Sequence, residues 1–380
     1  MQEQAVRFLT NLLGIYSPSG QEEDIALFLA QEMRKLGFQV GVDAVGNVIG
    51  VVGEGDPVIF LCGHMDTVAG HIPLRVDEGK IYARGAVDAK GPLAAMVMAA
   101  AQVGKDPNFK GKVLVASVVE EEATSRGVRH LITQGIQADY AVFGEPSGVE
   151  NLTIGYKGQI QLKVMCRTQR GHTSTPWLYD NALDKAYELW MQIKNSYPDL
   201  GKADSPDSPF NTVTACLTRM TGGRANSVIP FIAEMVIDIR VPPQFTTAQV
   251  FEETQNVIAM FRAENPKVSV KVSVTDTVEP FEVNKASPLV HTFSSSIRQV
   301  LGKPATLLRK TGTGDMNILG HAMNLPIVTY GPGDSHLDHT IDEHIVISEY
   351  LDSIKVYKET LLKLSALYNS KKGKTRNGAT

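Results

Sequence analysis

Long apolar runs are missing from this chain of 380 residues. The longest, Pro92 to Ala101, is rich in alanine and methionine. It falls well short of the roughly 20 residues that a bilayer-spanning helix needs, so it reads as a core helix and no membrane role is expected. Cysteine is scarce: Cys62, Cys166 and Cys216 lie far apart with no C-x-x-C pair. That excludes a disulfide framework and fits buried thiols in a reducing compartment. Neither sign of charge is in excess, with 37 Lys and Arg against 41 Asp and Glu, a formal charge of −4. Nothing in that balance calls for a nucleic-acid partner. Internal repeats are absent. The opening residues, an amphipathic pattern with Glu3 and Arg7, do not read as a signal peptide, and a cytoplasmic protein is expected.

What is present is an ordinary globular composition, 43% hydrophobic and 21% charged, in a chain long enough for two domains with real cores. Ser19, with Glu22 three positions on, reads as a capping box for a helix Glu22–Leu36 that Gly37 ends. Strands are expected at Gln39–Val42, Val48–Val52, Val58–Leu61, Lys112–Val119 and Tyr140–Phe143. Helices are expected at Gly91–Val103 and Val128–Gln134. This alternation is that of an α/β domain. From near Gly155 the order becomes strand Gln159–Arg167, helix Asn181–Tyr197, strands Thr212–Arg219 and Phe231–Arg240, helix Thr247–Glu264 and strand Val268–Thr275. That β-α-β-β-α-β order suggests a ferredoxin-like α+β unit inserted into the larger domain. Alternation resumes after Pro288 and ends in a long helix from Ser348. The expected division is a discontinuous α/β domain over 1–155 and 286–370, an inserted domain over 156–285, and a disordered tail over 371–380. The tail carries four basic residues and no large apolar one.

Acidic residues and histidines recur where predicted strands end. The run Val58-Ile59-Phe60-Leu61-Cys62 leads into Gly63-His64-Met65-Asp66-Thr67-Val68, and Asp88 follows in Arg84-Gly85-Ala86-Val87-Asp88-Ala89-Lys90-Gly91. Asp66, two residues beyond His64 on the same side of an extended chain, could hold the second imidazole nitrogen, as a metal-bound histidine requires. Alone, the pair reads as a strand-end histidine bonded to a loop aspartate. Glu120-Glu121-Glu122 follows another apolar strand, and three adjacent carboxylates repel one another unless solvated or bound to metal. Glu145 lies in Gly144-Glu145-Pro146 and His339 in the loop from Gly331 to Glu343. Two histidines with three or more carboxylates suit a pair of zinc-class ions rather than calcium, which prefers oxygen alone. Such a pair activates water, and a remaining carboxylate can take its proton.

These motifs resemble the M20 metallopeptidases and deacylases over nearly the whole chain. The resemblance implies that His64 binds one metal with Asp66 orienting it, and that Asp88 bridges both. With Gly127 aligning the acidic run, it implies Glu122 as a ligand, Glu121 as general base and Glu120 in place of the usual aspartate. Glu145 is the next ligand, and His339, in His339-Thr340-Ile341-Asp342-Glu343, the last; His336 lacks the Asp-Glu at the right distance. In the inserted domain Gly171-His172-Thr173-Ser174-Thr175-Pro176 is similar to a lid motif whose histidine, here His172, helps hold the substrate oxyanion, often across a dimer interface. Asn226 and Arg240 resemble residues that bind the substrate carboxylate, although Arg240 reads equally as an ion pair with Asp238. Gly312 and Thr313, in Thr311-Gly312-Thr313-Gly314-Asp315, resemble a glycine-rich substrate loop. Two divalent ions are therefore expected, zinc first and cobalt as the alternative, in a homodimer. The stretch from Arg84 to Leu93 most resembles the lysine-biosynthesis branch, which frees lysine, and sometimes ornithine, from an amino-group carrier protein. A small-molecule deacylase, of acetylornithine or succinyl-diaminopimelate type, or a carboxypeptidase is the alternative. A metal-containing binding protein is the non-enzyme alternative.

Overall fold

The structure is a computed structural model that describes residues 2–197, 208–223 and 226–377. The chain divides into two compact units, one formed by residues 1–154, 283–308 and 314–380, the other by 155–282 and 309–313. The second unit thus also takes up the short segment Arg309–Thr313. Among the described residues no helix is long and apolar enough to cross a membrane.

The first unit is built on a mixed sheet. Its strands lie in the order Gln39–Val42, Val48–Glu54, Gly111–Val118, Val58–His64, Tyr140–Phe143, Ile327–Thr329 and Asn151–Tyr156. The middle four are mutually parallel, so their carboxyl ends share one edge, where open α/β sheets collect ligands. The strand Val58–His64 is buried over its last six residues, as a central parallel strand covered on both faces should be. Helix Lys90–Val103 packs between this strand and the long helix Ile347–Asn377. Every one of its residues but Gln102 is buried, the mark of a helix apolar all round. Each fully buried Leu, Val or Met in it stabilises by about 1.5–3 kcal/mol.

Several local expectations change. Helix Glu23–Leu36 has no side-chain cap: the Ser19 hydroxyl is bonded to Asp66 and the Glu22 carboxylate to other backbone amides, so neither forms the capping box. The strand Asn151–Tyr156 and the small sheet of Arg75–Asp77, Lys80–Tyr82 and His344–Val346 were not expected. Three of these strands hold only three residues, too few to show a period. The last helix continues through Asn377, and Lys372 pairs with Asp56 at 2.8 Å. Seven of the ten residues expected as a disordered tail are therefore helical, and residues 378–380 lie outside the described residues. Helix propagation needs no apolar side chain once the preceding turns are anchored.

The second unit is the expected ferredoxin-like fold. Its antiparallel sheet runs Thr214–Gly222, Ile232–Val241, Gly158–Arg167, Ser269–Val278. Burial alternates strictly along Gly158–Arg167 and Ile232–Val241, so one face is apolar. Helices Ala182–Asn195 and Thr247–Glu264 cover it with Leu189, Trp190, Ile258 and Phe261.

Gly127 shows why the loop after Gly111–Val118 needs a glycine. A Cβ there would stand 2.5 Å from Asn47 Oδ1 and 2.7 Å from both the amide nitrogen and carbonyl oxygen of Val119. Backbone cannot yield as a side-chain end can, so Gly127→Ala is expected to cost about 1–3 kcal/mol. Equilibrium denaturation of the two proteins measures this directly.

Candidate metal centre

Strand register brings the acidic and histidine positions level. His64 lies opposite Val118 and Cys62 opposite Phe143. Glu121 and Glu122, just past Val118, and Glu145, two past Phe143, therefore emerge beside His64. Asp88 lies just before helix Lys90–Val103, and its peptide bond to Ala89 is cis.

Two clusters result, and one carboxylate belongs to both. His64 Nε2 is 3.1 Å from Asp88 Oδ1 and 3.4 Å from Glu145 Oε1. His339 Nε2 is 3.0 Å from Asp88 Oδ2 and 3.0 Å from Glu122 Oε1. The two oxygens of Asp88 thus face different histidines. Zinc-class ligand bonds of about 2.0–2.2 Å set neighbouring ligand atoms of a tetrahedral ion roughly 3.3 Å apart. The histidine–carboxylate distances have that spacing, and the mixed imidazole and carboxylate donors suit such ions. Glu122 also lies close enough to His64 and Asp88 for those three to reach one ion. Glu121 groups with His64 and Glu145 closely enough for all three to reach one ion. Its carboxylate also lies against the start of helix Asp315–Met323, where a Cβ on Gly314 would stand 3.7 Å from its Oε1. His336 is exposed and bonded to Asp334 instead.

Backbone amides hold the acidic residues in place. His64 Nδ1 meets the carbonyl of Asp66 at 3.0 Å and its carboxylate at 3.4 Å; the carbonyl is the nearer partner. The Asp66 carboxylate is free to accept the amides of Glu121 and Glu122, at 3.1 and 3.2 Å. The Glu120 side chain turns outward to Arg126 and Thr124. Glu343 Oε1 accepts the amides of Val87 and Asp88, at 2.9 and 3.1 Å, while its Oε2 pairs with Arg84 at 2.8 Å. Ser147 and Gly331 exchange hydrogen bonds, which ties the Glu145 loop to the segment leading to His339. His339 itself has φ +62°, uncommon for a non-glycine residue and frequent where a site fixes it. Glu343, Arg84 and Asp315 lie within the motifs, but a sequence shows the motif and not which backbone amide a carboxylate will meet.

Charge and burial work against each other here. Burial pushes Glu122 up to about 7, helped by Asp88. Burial and Asp315 hold Glu121 well above the carboxylate range, and burial pushes Asp315 up to about 7. The Asp88 contact raises His339 to about 9 against the opposing effect of burial. Burial alone would lower His64, but Asp66, Asp88 and Glu145 overcome it and carry it well upward.

The remaining expected residues lie in the second unit. His172 is exposed, its Nδ1 2.8 Å from the Ser174 hydroxyl, and it lines an open cleft of about 1120 Å³ with Arg167 and Arg170. Asn226 is exposed. Arg240 is engaged by Asp238 at 2.7 Å through Nε and by the Thr313 hydroxyl at 2.9 Å through Nη1. Thr313 in turn donates to the Lys157 carbonyl, and Gly312 beside it is exposed.

Residues 60–363 match the model of peptidase family M20/M25/M40. A Pyrococcus abyssi protein provisionally named LysW-lysine/LysW-ornithine hydrolase is 37% identical over 364 residues, 96% of this chain and 95% of that protein. The LysW-lysine hydrolase of Deinococcus radiodurans is 33% identical over 365 residues, 95% of this chain and 97% of its own. Among solved structures, an M20 family metallo-carboxypeptidase from Sulfolobus solfataricus superposes with a TM-score of 0.79 at 18% identity, covering 94% of this chain and 98% of that one. The chain belongs to peptidase family M20/M25/M40, a metal-dependent family. It is a hydrolase of amide or peptide bonds.

Protons occupy the metal-free centre in the groups whose pKa is raised, and a metal must displace them. Glu122 gives up its proton near 7 and His339 near 9. Divalent-metal affinity is therefore expected to rise with pH through that range, with proton release on uptake. Calorimetric titration in buffers of different ionisation enthalpy checks it; pH-independent affinity with no proton release would contradict it.

Proposed function

We propose that this chain is a di-metal amidohydrolase that frees lysine or ornithine from a conjugate with an amino-group carrier protein. The observation that carries the chemistry is the divided Asp88 carboxylate, one oxygen toward His64 and Glu145 and the other toward His339 and Glu122. His64, Asp88 and Glu145 would hold one ion, and His339, Asp88 and Glu122 the other, zinc first and cobalt as the alternative. When bound, the pair supplies Lewis-acid chemistry, polarising the scissile carbonyl and making water more acidic. Glu121 takes the proton of the attacking water and passes it to the departing amine. Asp66 fixes the His64 ring.

The substrate reading is supported by the full-length relatives in Pyrococcus and Deinococcus, whose names specify LysW conjugates. The bond cleaved would join the carrier's terminal glutamate side chain to the α-amino group of lysine or ornithine. Arg240 would meet the released amino acid's carboxylate with the N–H groups that Asp238 and Thr313 leave over, with Gly312 and Thr313 beside it. Asn226 lies at the other end of the strand that carries Arg240 and would bind substrate separately. Glu121→Gln is expected to keep bound metal while losing about 10²–10⁴ in rate; Asp88→Ala should lose the metals as well. An unchanged rate in Glu121→Gln removes it as the base. Turnover compared at equal concentration for carrier-linked lysine, carrier-linked ornithine, N-acetyl-ornithine, N-succinyl-diaminopimelate and dipeptides decides the substrate. Fast cleavage of a small acyl-amino acid, with no cleavage of either conjugate, replaces the carrier reading by the deacylase one.

The second unit would serve as lid and dimerisation domain, with His172 completing the partner's site. Gln159–Arg167 lies inside the sheet, paired on both sides by Ile232–Val241 and Ser269–Val278, so it offers a second copy no free edge. The edge strand Ser269–Val278 is exposed along most of its length and offers unpaired backbone instead. Mixed dimers of His172→Ala and Glu121→Gln subunits are then expected to regain part of the activity. No recovery, in dimers shown to exchange, contradicts a shared site.

A further inference from the structure

The segment between helices Gln2–Leu13 and Glu23–Leu36 contains none of the metal or base motifs, yet it is fastened to the candidate centre at every turn. Lys90 donates to the Ile15 carbonyl at 2.6 Å. The Ser17 hydroxyl donates to the Met65 carbonyl at 2.8 Å, and Ser17 and Ser19 bracket Thr67 through backbone bonds. The Ser19 hydroxyl donates to Asp66 Oδ2 at 2.7 Å. Glu22, only 5% exposed, directs Oε1 at two amides, Gly20 at 2.9 Å and Glu120 at 3.1 Å.

Three successive amides, of Glu120, Glu121 and Glu122, therefore all end on buried carboxylate oxygens, the first on Glu22 and the next two on Asp66. Glu120 occupies the left-handed region at φ +54°, where a non-glycine residue persists only if its surroundings hold it. Its carbonyl closes the same turn by accepting the Ser125 amide at 2.7 Å. This turn redirects the chain leaving strand Gly111–Val118, so that the Glu120 side chain turns to Arg126 and Thr124 while Glu121 and Glu122 face the centre.

We propose that Glu22 is a positioning residue for the reaction: its buried carboxylate pins the Glu120 turn that aims Glu121. The inference rests on the reading of Glu121 as the base. A carboxylate holding two neutral amides acts here as an acceptor of fixed position, and the amide oxygen of glutamine can do the same.

The test measures kcat, KM, bound metal, melting temperature and amide hydrogen exchange over residues 120–125 on the full-length metal-loaded protein. The substrate is the one turned over fastest in the panel above. Glu22→Ala is expected to lose about 10–100-fold in kcat with KM and metal content unchanged and faster exchange over 120–125. Glu22→Gln should restore kcat to within about threefold, since the two acceptor bonds remain. A merely structural glutamate would lower the melting temperature without altering kcat per metal-loaded molecule. Unchanged kcat in Glu22→Ala, or no rescue by glutamine, overturns the proposal. Should Glu22→Ala not fold, Glu22→Asp decides, because the shorter side chain withdraws the acceptor from the Glu120 amide: a kcat loss of about threefold or more at an unchanged melting temperature supports it, and unchanged kcat overturns it. Glu121→Gln run in parallel separates the two readings, because normal turnover there removes the base itself.

Discussion

A buried group of carboxylates is stable only if positive charge is shared among them. Two unit charges 4 Å apart repel by about 4 kcal/mol at the effective dielectric of a protein site. Asp88, Glu121, Glu122, Glu145 and Asp315 all act on the same few ångströms around His64. In the metal-free chain that repulsion is relieved by protons: burial and mutual repulsion raise Glu121, Glu122 and Asp315, while His64 and His339 hold their protons more tightly. Divalent cations relieve the same repulsion without protons. His64, Glu122 and His339, which titrate, are among the side chains that would ligate, and Glu121, which also titrates, would serve as the base, so the centre's electrostatics and its chemistry share an origin.

Such a cluster would fly apart if its members sat on mobile chain, and here each is anchored by backbone. Asp66 and Glu22 take the amides of the acidic turn, Glu343 takes those of Val87 and Asp88, and Ser147 links the Glu145 loop to Gly331. Burying Glu343 would be costly for a lone carboxylate, but Arg84 and two amides satisfy it. Lys90 is likewise buried, its pKa lowered to about 7 by desolvation, and it is held on the Ile15 carbonyl. Glu343 stabilises the geometry of Asp88 by holding its amide, and Lys90 fixes the Ile15 segment.

The centre of the first unit was legible in the sequence because the strands Val58–His64, Gly111–Val118 and Tyr140–Phe143 are largely apolar runs with a histidine or a carboxylate at or just past the end. His64, Glu121, Glu122 and Glu145 could be found from that pattern, and the parallel register that makes them neighbours follows from the α/β alternation. Asp88 and His339 stand in the same candidate set, in loops that follow predicted strands, and the resemblance of their motifs supplies their roles, as it does in telling Glu121 from Glu122. Ser19 and Glu22 were misread as a capping box because the spacing is right for one. Local pattern could not show that both side chains had a better partner some fifty to a hundred residues on. The three-residue strands around Tyr82 and His344 were invisible for a simpler reason: a period needs more residues than they contain.

The second unit carries a different kind of information. The Asp238–Arg240 pair lies two residues apart on the strand Ile232–Val241, so both side chains share a face and their pairing was foreseeable. Thr313 as the third partner was not, because it comes from a segment more than seventy residues later. In the proposed substrate role, Arg240 fixed by Asp238 and Thr313 would lose little freedom on meeting a carboxylate with its remaining N–H groups. Much of its charge is already offset by Asp238, so a ligand there gains from direction more than from net attraction. An arginine of this kind selects for planar carboxylates in one orientation and does little to draw anions in general. A neutral or misdirected amino-acid end would leave its N–H groups unmatched, and discrimination would come from that loss.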